Sequence, residues 1–361
     1  MSFTDRRLIG IKRAIVNHIP LQFKQLSLVQ KVAGYCYQRW RARNDVPERA
    51  CHLYFLAVDT DGDVYPCCKV YRSAYHRIGN VSDPGLARSI ESYERTCSCD
   101  IAKLRKKNAS DPNGDERVLN LELSLTCQAT CAMCSVQAPD FTGKYDKYTH
   151  LTDLVRSQKP DVIQVQGGEV LIQKRSLAWV QEIKSEFPRM RLQVVTNGNV
   201  DAAMVPSLCE IFDGFVISFV GFQEETYRAI MGLDLTKTLA FTQALTAQAN
   251  RRVSLKFLMT ALNVHEVALF LRSAAQLRPA KILIAESGIP NYIVAGTHDH
   301  FWTKIFSRSS DAVRKTLCAL REALQEADTT VLFEAPAAQL LDLDDAFVLS
   351  NGLAGRVHTR Y

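Results

Sequence analysis

From Val118 onward the hydrophobic and polar positions alternate between two periods. Leu119-Asn-Leu-Glu-Leu-Ser-Leu125 carries leucine at every second position, the period of a strand with one buried face. Further short apolar runs fall at 162–165, 192–195, 215–219, 253–259 and 282–285. Between them lie helical stretches at 174–187, 201–212, 236–250 and 264–277. Strands alternating with helices in this way predict a parallel sheet with helices outside it. In β/α barrels the active site lies at the C-terminal ends of the strands. The residues that follow each strand are therefore the candidates for chemistry.

The flanking segments have other patterns. Val58-Asp-Thr-Asp-Gly-Asp-Val-Tyr65 predicts a hairpin around an Asp-Gly turn, with a short helix near 86–93 after it. Residues 101–117 are polar and include Asp111-Pro-Asn-Gly, a linker composition. A helix over 311–327 and a strand near 330–333 are expected to cover the open side of the sheet. The chain thus divides into an extension (1–50), a hairpin module (51–100), the linker, a β/α core (118–290) and a C-terminal extension (291–361).

Composition adds bounds. At 361 residues and 47% hydrophobic, the chain has room for a large core and a small module. No 18-residue apolar run and no cleavable leader pattern is present, so a cytoplasmic protein is expected. The net charge of +6 is uneven: residues 1–50 hold ten Lys/Arg against Asp5, Asp45 and Glu48. That basic, helical extension suits contact with an anionic membrane surface or an acidic partner, or a solvated cap on the body. No clear nucleic-acid motif accompanies it.

Eleven cysteines cluster as metal ligands rather than spreading as disulfide pairs. Cys127-Gln-Ala-Thr-Cys131-Ala-Met-Cys134 lies in the loop just past the first core strand. Three thiolates on one short loop fill three corners of a cubane iron–sulfur cluster and leave the fourth iron open for a ligand. A zinc site would need a fourth Cys or His nearby, and the nearest downstream histidine is His150. A second set, Cys51, Cys67, Cys68, Cys97 and Cys99, surrounds the hairpin. Four of these suffice to close another four-iron cluster or a zinc knuckle.

The C-x3-C-x2-C spacing, with bulky Met133 before the last cysteine, resembles the radical SAM family. The resemblance implies that Cys127, Cys131 and Cys134 hold a 4Fe-4S cluster whose open iron chelates S-adenosylmethionine. Reductive cleavage then yields methionine and a 5′-deoxyadenosyl radical. It also implies an incomplete (β/α)6 barrel. The C-x10-G-x4-C pattern with Ile-Gly-Asn and paired cysteines resembles the twitch and SPASM modules of the same family. That implies a second 4Fe-4S cluster on Cys51, Cys67, Cys97 and Cys99, with Cys68 as competitor. The module differs from most relatives in preceding the barrel and in carrying C-x-C where C-x2-C is usual.

Later loops extend the resemblance. Gln166-Gly167-Gly168-Glu169 follows the second strand; paired glycines admit a ligand close to backbone, and a carboxylate accepts from an ammonium. The family uses this segment for the methionine amino group. Thr196-Asn197-Gly198 follows the third strand and is implied to line the cofactor pocket. Ser218, ending the fourth strand, is implied at the ribose, although Val220 replaces the usual Asp. Met231 stands where many relatives place a carboxylate-holding Arg, leaving Arg228 or Lys256 as substitutes. Asn263, after the fifth strand, is implied to face the adenosine.

These features lead to an enzyme that abstracts hydrogen from a peptide or small metabolite, in an oxidation or cross-linking reaction. An electron donor such as flavodoxin or ferredoxin is expected. The alternatives are a non-catalytic iron–sulfur protein and an RNA-modifying enzyme using the basic N-terminus.

Overall fold

The computed structural model describes residues 55–66, 77–96, 116–131, 134, 147–249, 252–260, 262–286, 311–334 and 357–360. The helices expected in 1–50, the cysteines at 51, 67, 68, 97 and 99, and Met133 lie outside the described residues.

The core strands are β4 (Val118–Glu122), β5 (Val162–Gln166), β6 (Arg191–Thr196), β7 (Gly214–Phe219), β8 (Val253–Met259) and β9 (Lys281–Glu286). All five neighbouring pairs among them are parallel, and their order in the sheet is their order in the chain. The intervening helices are α2 (Tyr148–Gln158), α3 (Lys174–Glu186), α4 (Val205–Ile211), α5 (Glu224–Met231), α6 (Leu235–Ala249) and α7 (Val267–Gln276); α1 (Leu86–Thr96) precedes the core. Sequential order with right-handed crossovers places every connecting helix on one face of the sheet. The expected six-unit β/α array is present.

The strand faces follow from the register. Leu121, Val165, Val194, Phe215 and Val253 form one row across five strands, each buried. Burial of each such side chain contributes roughly 1.5–3 kcal/mol. The opposite face reads Asn120, Gln164 and Gln193 in one row and Ser218 beside Lys256 in another. It is half-buried and polar at Gln164, Gln166, Gln193, Ser218 and Lys256. One face therefore packs the helices and the other is an open, hydrogen-bonding surface.

Both flanking segments join this sheet. β1 (Phe55–Val58) pairs parallel with β4, and β2 (Asp63–Tyr65) and β3 (Gly79–Asn80) add antiparallel strands beyond it. At the other edge β10 (Val331–Glu334) pairs parallel with β9, and β11 (Val357–Arg360) with β10. The C-terminal strand thus extends the sheet instead of covering its open side. The amphipathic helix α8 (Asp311–Glu326) packs along α7, where Arg272 reaches Glu326 at 2.8 Å. No described helix is long and apolar enough to cross a membrane.

Candidate cluster and cofactor site

The loops that follow β4, β5, β6, β7 and β8 emerge at one end of the sheet because those strands are parallel. Residues 123–126 leave β4 alongside the next loop, with Leu123 N–H donating to Gln166 O at 3.0 Å. Leu123 and Leu125 stay buried at 3% and 1% exposure, so the leucine alternation runs to the threshold of the cysteine loop. Cys127, Cys131 and Cys134 follow, each half-buried and outside any disulfide. Cys134 N–H donates to Cys131 O at 2.9 Å, a tight turn that closes the loop.

The Gly-Gly-Glu segment holds this loop in place. Gly167 and Gly168 have φ of +94° and +52°, a region that favours glycine. A Cβ on Gly167 would fall 2.8 Å from Ser124 O, and one on Gly168 would fall 2.2 Å from Thr126 O. The missing side chains thus serve contact with the cysteine loop. Thr126 O accepts from Glu169 N–H and from Gln173 Nε2–H, both at 2.9 Å.

Glu169 is fully buried. Its Oε1 accepts from Leu171 N–H at 3.0 Å and Thr196 Oγ1–H at 2.8 Å, and its Oε2 from Asn197 N–H at 2.8 Å. Burial pushes the carboxyl above its ordinary range, against the pull of these three donors. The side chain expected at an amino group of the cofactor is engaged between the second and third loops. Thr196, 3% exposed, likewise turns its hydroxyl inward, also accepting from Gly198 N–H at 2.9 Å.

Asn197 touches the cysteine loop itself. Its Nδ2 lies 3.8 Å from Cys127 Sγ, and its Oδ1 accepts from Gln128 Nε2 at 3.3 Å. Cys127 Sγ also accepts from Ala129 N–H at 3.4 Å. Burial pushes the Cys127 thiol up to about 11. Burial, and then its two fellow cysteines, push Cys131 up to about 12. Thiols so disposed take a metal by releasing protons. The three cysteines are within electrostatic reach of one another. Zinc gathers its ligands around one atom, whereas a cubane spreads its thiolates over separate irons. The all-sulfur donor set fits the cluster.

Asn263 follows β8, in the loop where the sequence places it. It is fully buried, donating from Nδ2 to Val220 O at 2.5 Å and Leu258 O at 2.9 Å, while Oδ1 accepts from Thr260 N–H at 2.6 Å and Thr260 Oγ1–H at 3.0 Å. Its side-chain capacity is consumed in joining the β7 and β8 loops. Arg228 points outward and pairs with Glu224 at 2.5 Å, its side chain 67% exposed. Ser218 and Lys256 adjoin on the open polar face, and neither has a polar side-chain partner among the described residues.

Several contributing residues carry no motif. Lys147, 2% exposed, donates from Nζ to Asp59 O at 2.8 Å and Glu122 O at 2.5 Å. Glu122 Oε2 accepts from Thr60 N–H at 3.1 Å and Thr60 Oγ1–H at 2.6 Å. Glu266 Oε2 accepts from Phe222 N–H at 2.6 Å and caps the approach to α5. Only spatial neighbourhood identifies these residues, since their partners lie 25 to 88 positions away.

No family model and no curated protein matches the chain. Solved structures show partial likeness. SuiB of Streptococcus suis bound to S-adenosylmethionine is 11% identical over 73% of this chain and 59% of its own, with a TM-score of 0.46. Native anSMEcpe with bound AdoMet is 16% identical over 68% of this chain and 63% of its own, with a TM-score of 0.46. HydG of Carboxydothermus hydrogenoformans, an FeFe-hydrogenase maturase, is 17% identical over 67% and 58%, with a TM-score of 0.43. The chain spans a little over half the length of the SuiB chains it matches, 54% and 59%.

Proposed function

We propose that the chain is a radical S-adenosylmethionine enzyme. The observation that carries this reading is the three-cysteine loop at the C-terminal end of the first of six consecutive parallel strands, stitched to the Gly-Gly-Glu loop of the second. Cys127, Cys131 and Cys134 hold the cluster. Bound there with S-adenosylmethionine, it supplies one-electron cleavage of the sulfonium and a 5′-deoxyadenosyl radical.

The chain's own residues orient and enclose. The glycine pair lets the second loop seat directly on the first, and Glu169 fixes the third loop against both. Ser218 and Lys256 offer a hydroxyl and a cation to the polar and carboxylate parts of the cofactor. Gln164, Gln166 and Gln193 line the open face, which favours a polar substrate, either a peptide or a small metabolite, oxidised or cross-linked. The cysteine spacing around the hairpin supports a second 4Fe-4S cluster on Cys51, Cys67, Cys97 and Cys99, with Cys68 as competitor. A flavodoxin or ferredoxin in the cytoplasm is the electron donor in this reading.

Iron and sulfide analysis with low-temperature EPR after anaerobic reconstitution tests it. About eight irons are expected, falling to about four in the triple Cys127/Cys131/Cys134→Ala variant. S-adenosylmethionine should perturb only the signal that the variant loses. Wild-type protein without iron overturns the reading. Release of 5′-deoxyadenosine under reduction separates the enzyme from a non-catalytic iron–sulfur protein.

A further inference from the structure

We infer that Asn197 is a positioning residue for the cluster rather than for S-adenosylmethionine: its side-chain amide donates to the Cys127 sulfur and sets the reduction potential of the site. The inference rests on the proposal that Cys127, Cys131 and Cys134 hold a 4Fe-4S cluster.

The geometry begins with the amide orientation. Asn197 Oδ1 accepts from Asn199 N–H at 2.9 Å and from Gln128 Nε2–H at 3.3 Å. A backbone N–H is only a donor, so the atom facing it is the oxygen. Nδ2 is thereby turned toward Cys127 Sγ, at 3.8 Å. The backbone is held as firmly. Asn197 N–H donates to Glu169 Oε2 at 2.8 Å, and Asn197 O accepts from Thr238 Oγ1 at 3.4 Å. Asn199 Nδ2 in turn donates to Asp234 O at 2.6 Å and Thr238 Oγ1 at 3.1 Å. The residue is 6% exposed. A residue held by two contacts at its side-chain oxygen and two at its backbone, with its side-chain NH2 against a thiol, is placed for that sulfur.

Cys127 therefore has two directed N–H donors, from Asn197 Nδ2 and Ala129 N. Hydrogen bonds to cluster sulfurs are among the determinants of cluster potential. Donors stabilise the more negative, reduced state and so raise the potential. Partners of ligating side chains also orient the ligand itself. The signal is absent from spacing alone, because Asn197 and Cys127 are 70 residues apart.

The test uses the full-length, reconstituted protein and an EPR-monitored redox titration. Asn197→Leu removes the donor without adding charge. With iron content unchanged, its midpoint is expected at a more negative value, by about 59 mV for a tenfold change in the one-electron equilibrium. An unmoved midpoint with a full cluster overturns the inference. A second measurement needs no variant: wild-type protein carrying side-chain 15N-asparagine is examined in the reduced state by pulsed EPR. A coupling from asparagine side-chain nitrogen is expected, and its absence overturns the inference even if Asn197→Leu fails to assemble a cluster. Wild-type protein that takes up no iron is instead the failure of the cluster proposal itself.

Discussion

The backbone N–H of Thr130 donates to the carbonyl of Met231 at 2.9 Å, so the turn between Cys127 and Cys131 is tied to the last residue of α5. Gly232 then ends that helix in the left-handed region at φ +69°. The cysteine loop is consequently held from two sides, by Gly168 beneath it and by the end of α5 beside it.

That arrangement predicts the outcome of Gly232→Ala. The added Cβ would lie 2.2 Å from Thr130 Oγ1, on a backbone that disfavours any side chain. Strain of this kind costs about 1–3 kcal/mol, and relief requires moving Thr130. A lower thermal midpoint and reduced iron retention are expected together. Full iron retention at a lowered midpoint would show that the helix end does not govern the loop.

Glu169 predicts a pH dependence. Burial raises its carboxyl above the ordinary 4.5. The folded chain then holds a proton at pH values where the unfolded chain has released it. Stability therefore falls as pH rises from about 4.5 through the raised value, and levels off above it. Glu169→Gln should remove this slope while costing about 1–3 kcal/mol, because one acceptor oxygen becomes a donor. Thermal midpoints of both proteins across this range provide the check. Stability gained by the wild type as pH rises would mean that the three donors outweigh burial.

The β/α order was legible because strand and helix periods differ and each unit repeats them; Val253–Met259 has the same bounds in sequence and structure. The cysteine loop was legible because its ligands are close in sequence and follow a strand. What could not be read was which side chains face outward for a ligand. Asn263 and Glu169 sit in the expected loops yet direct polar atoms to neighbouring loops, at Val220, 43 residues from Asn263, and at Thr196 and Asn197, 27 and 28 residues from Glu169. β11 carries no strand signal of its own in the sequence, because Val357–Arg360 acquires its partner only through β10.

If the chain binds S-adenosylmethionine as proposed, Lys256 rather than Arg228 is the candidate for its carboxylate. Arg228 is on the outer surface with Glu224, and an exposed pair of this kind contributes about 0–1 kcal/mol. Lys256 is half-buried beside Ser218 on the open face. Lys256→Ala is expected to weaken S-adenosylmethionine binding about tenfold, or about 1.4 kcal/mol, in an EPR or calorimetric titration. Arg228→Ala should stay within about threefold of wild type. The reverse order would return the carboxylate to α5.

Lys147 joins the N-terminal hairpin to the core. Its ammonium lies between the carbonyls of Asp59, just past β1, and Glu122, at the end of β4. The Glu122 carboxylate returns to Thr60 in the hairpin turn, and its Cγ lies where a Cβ on Gly167 would intrude. Contacts thus run from the hairpin through Glu122 to the Gly-Gly segment and on to Thr126 and Cys127. Lys147→Met keeps the apolar stem but leaves two buried carbonyls without this donor, a loss of about 3 kcal/mol. If the junction couples the two parts, hydrogen exchange should rise together in Phe55–Val58 and Val118–Glu122 in the variant. A rise confined to Phe55–Val58 would make Lys147 an anchor for the hairpin alone, and the cysteine loop would then be independent of it.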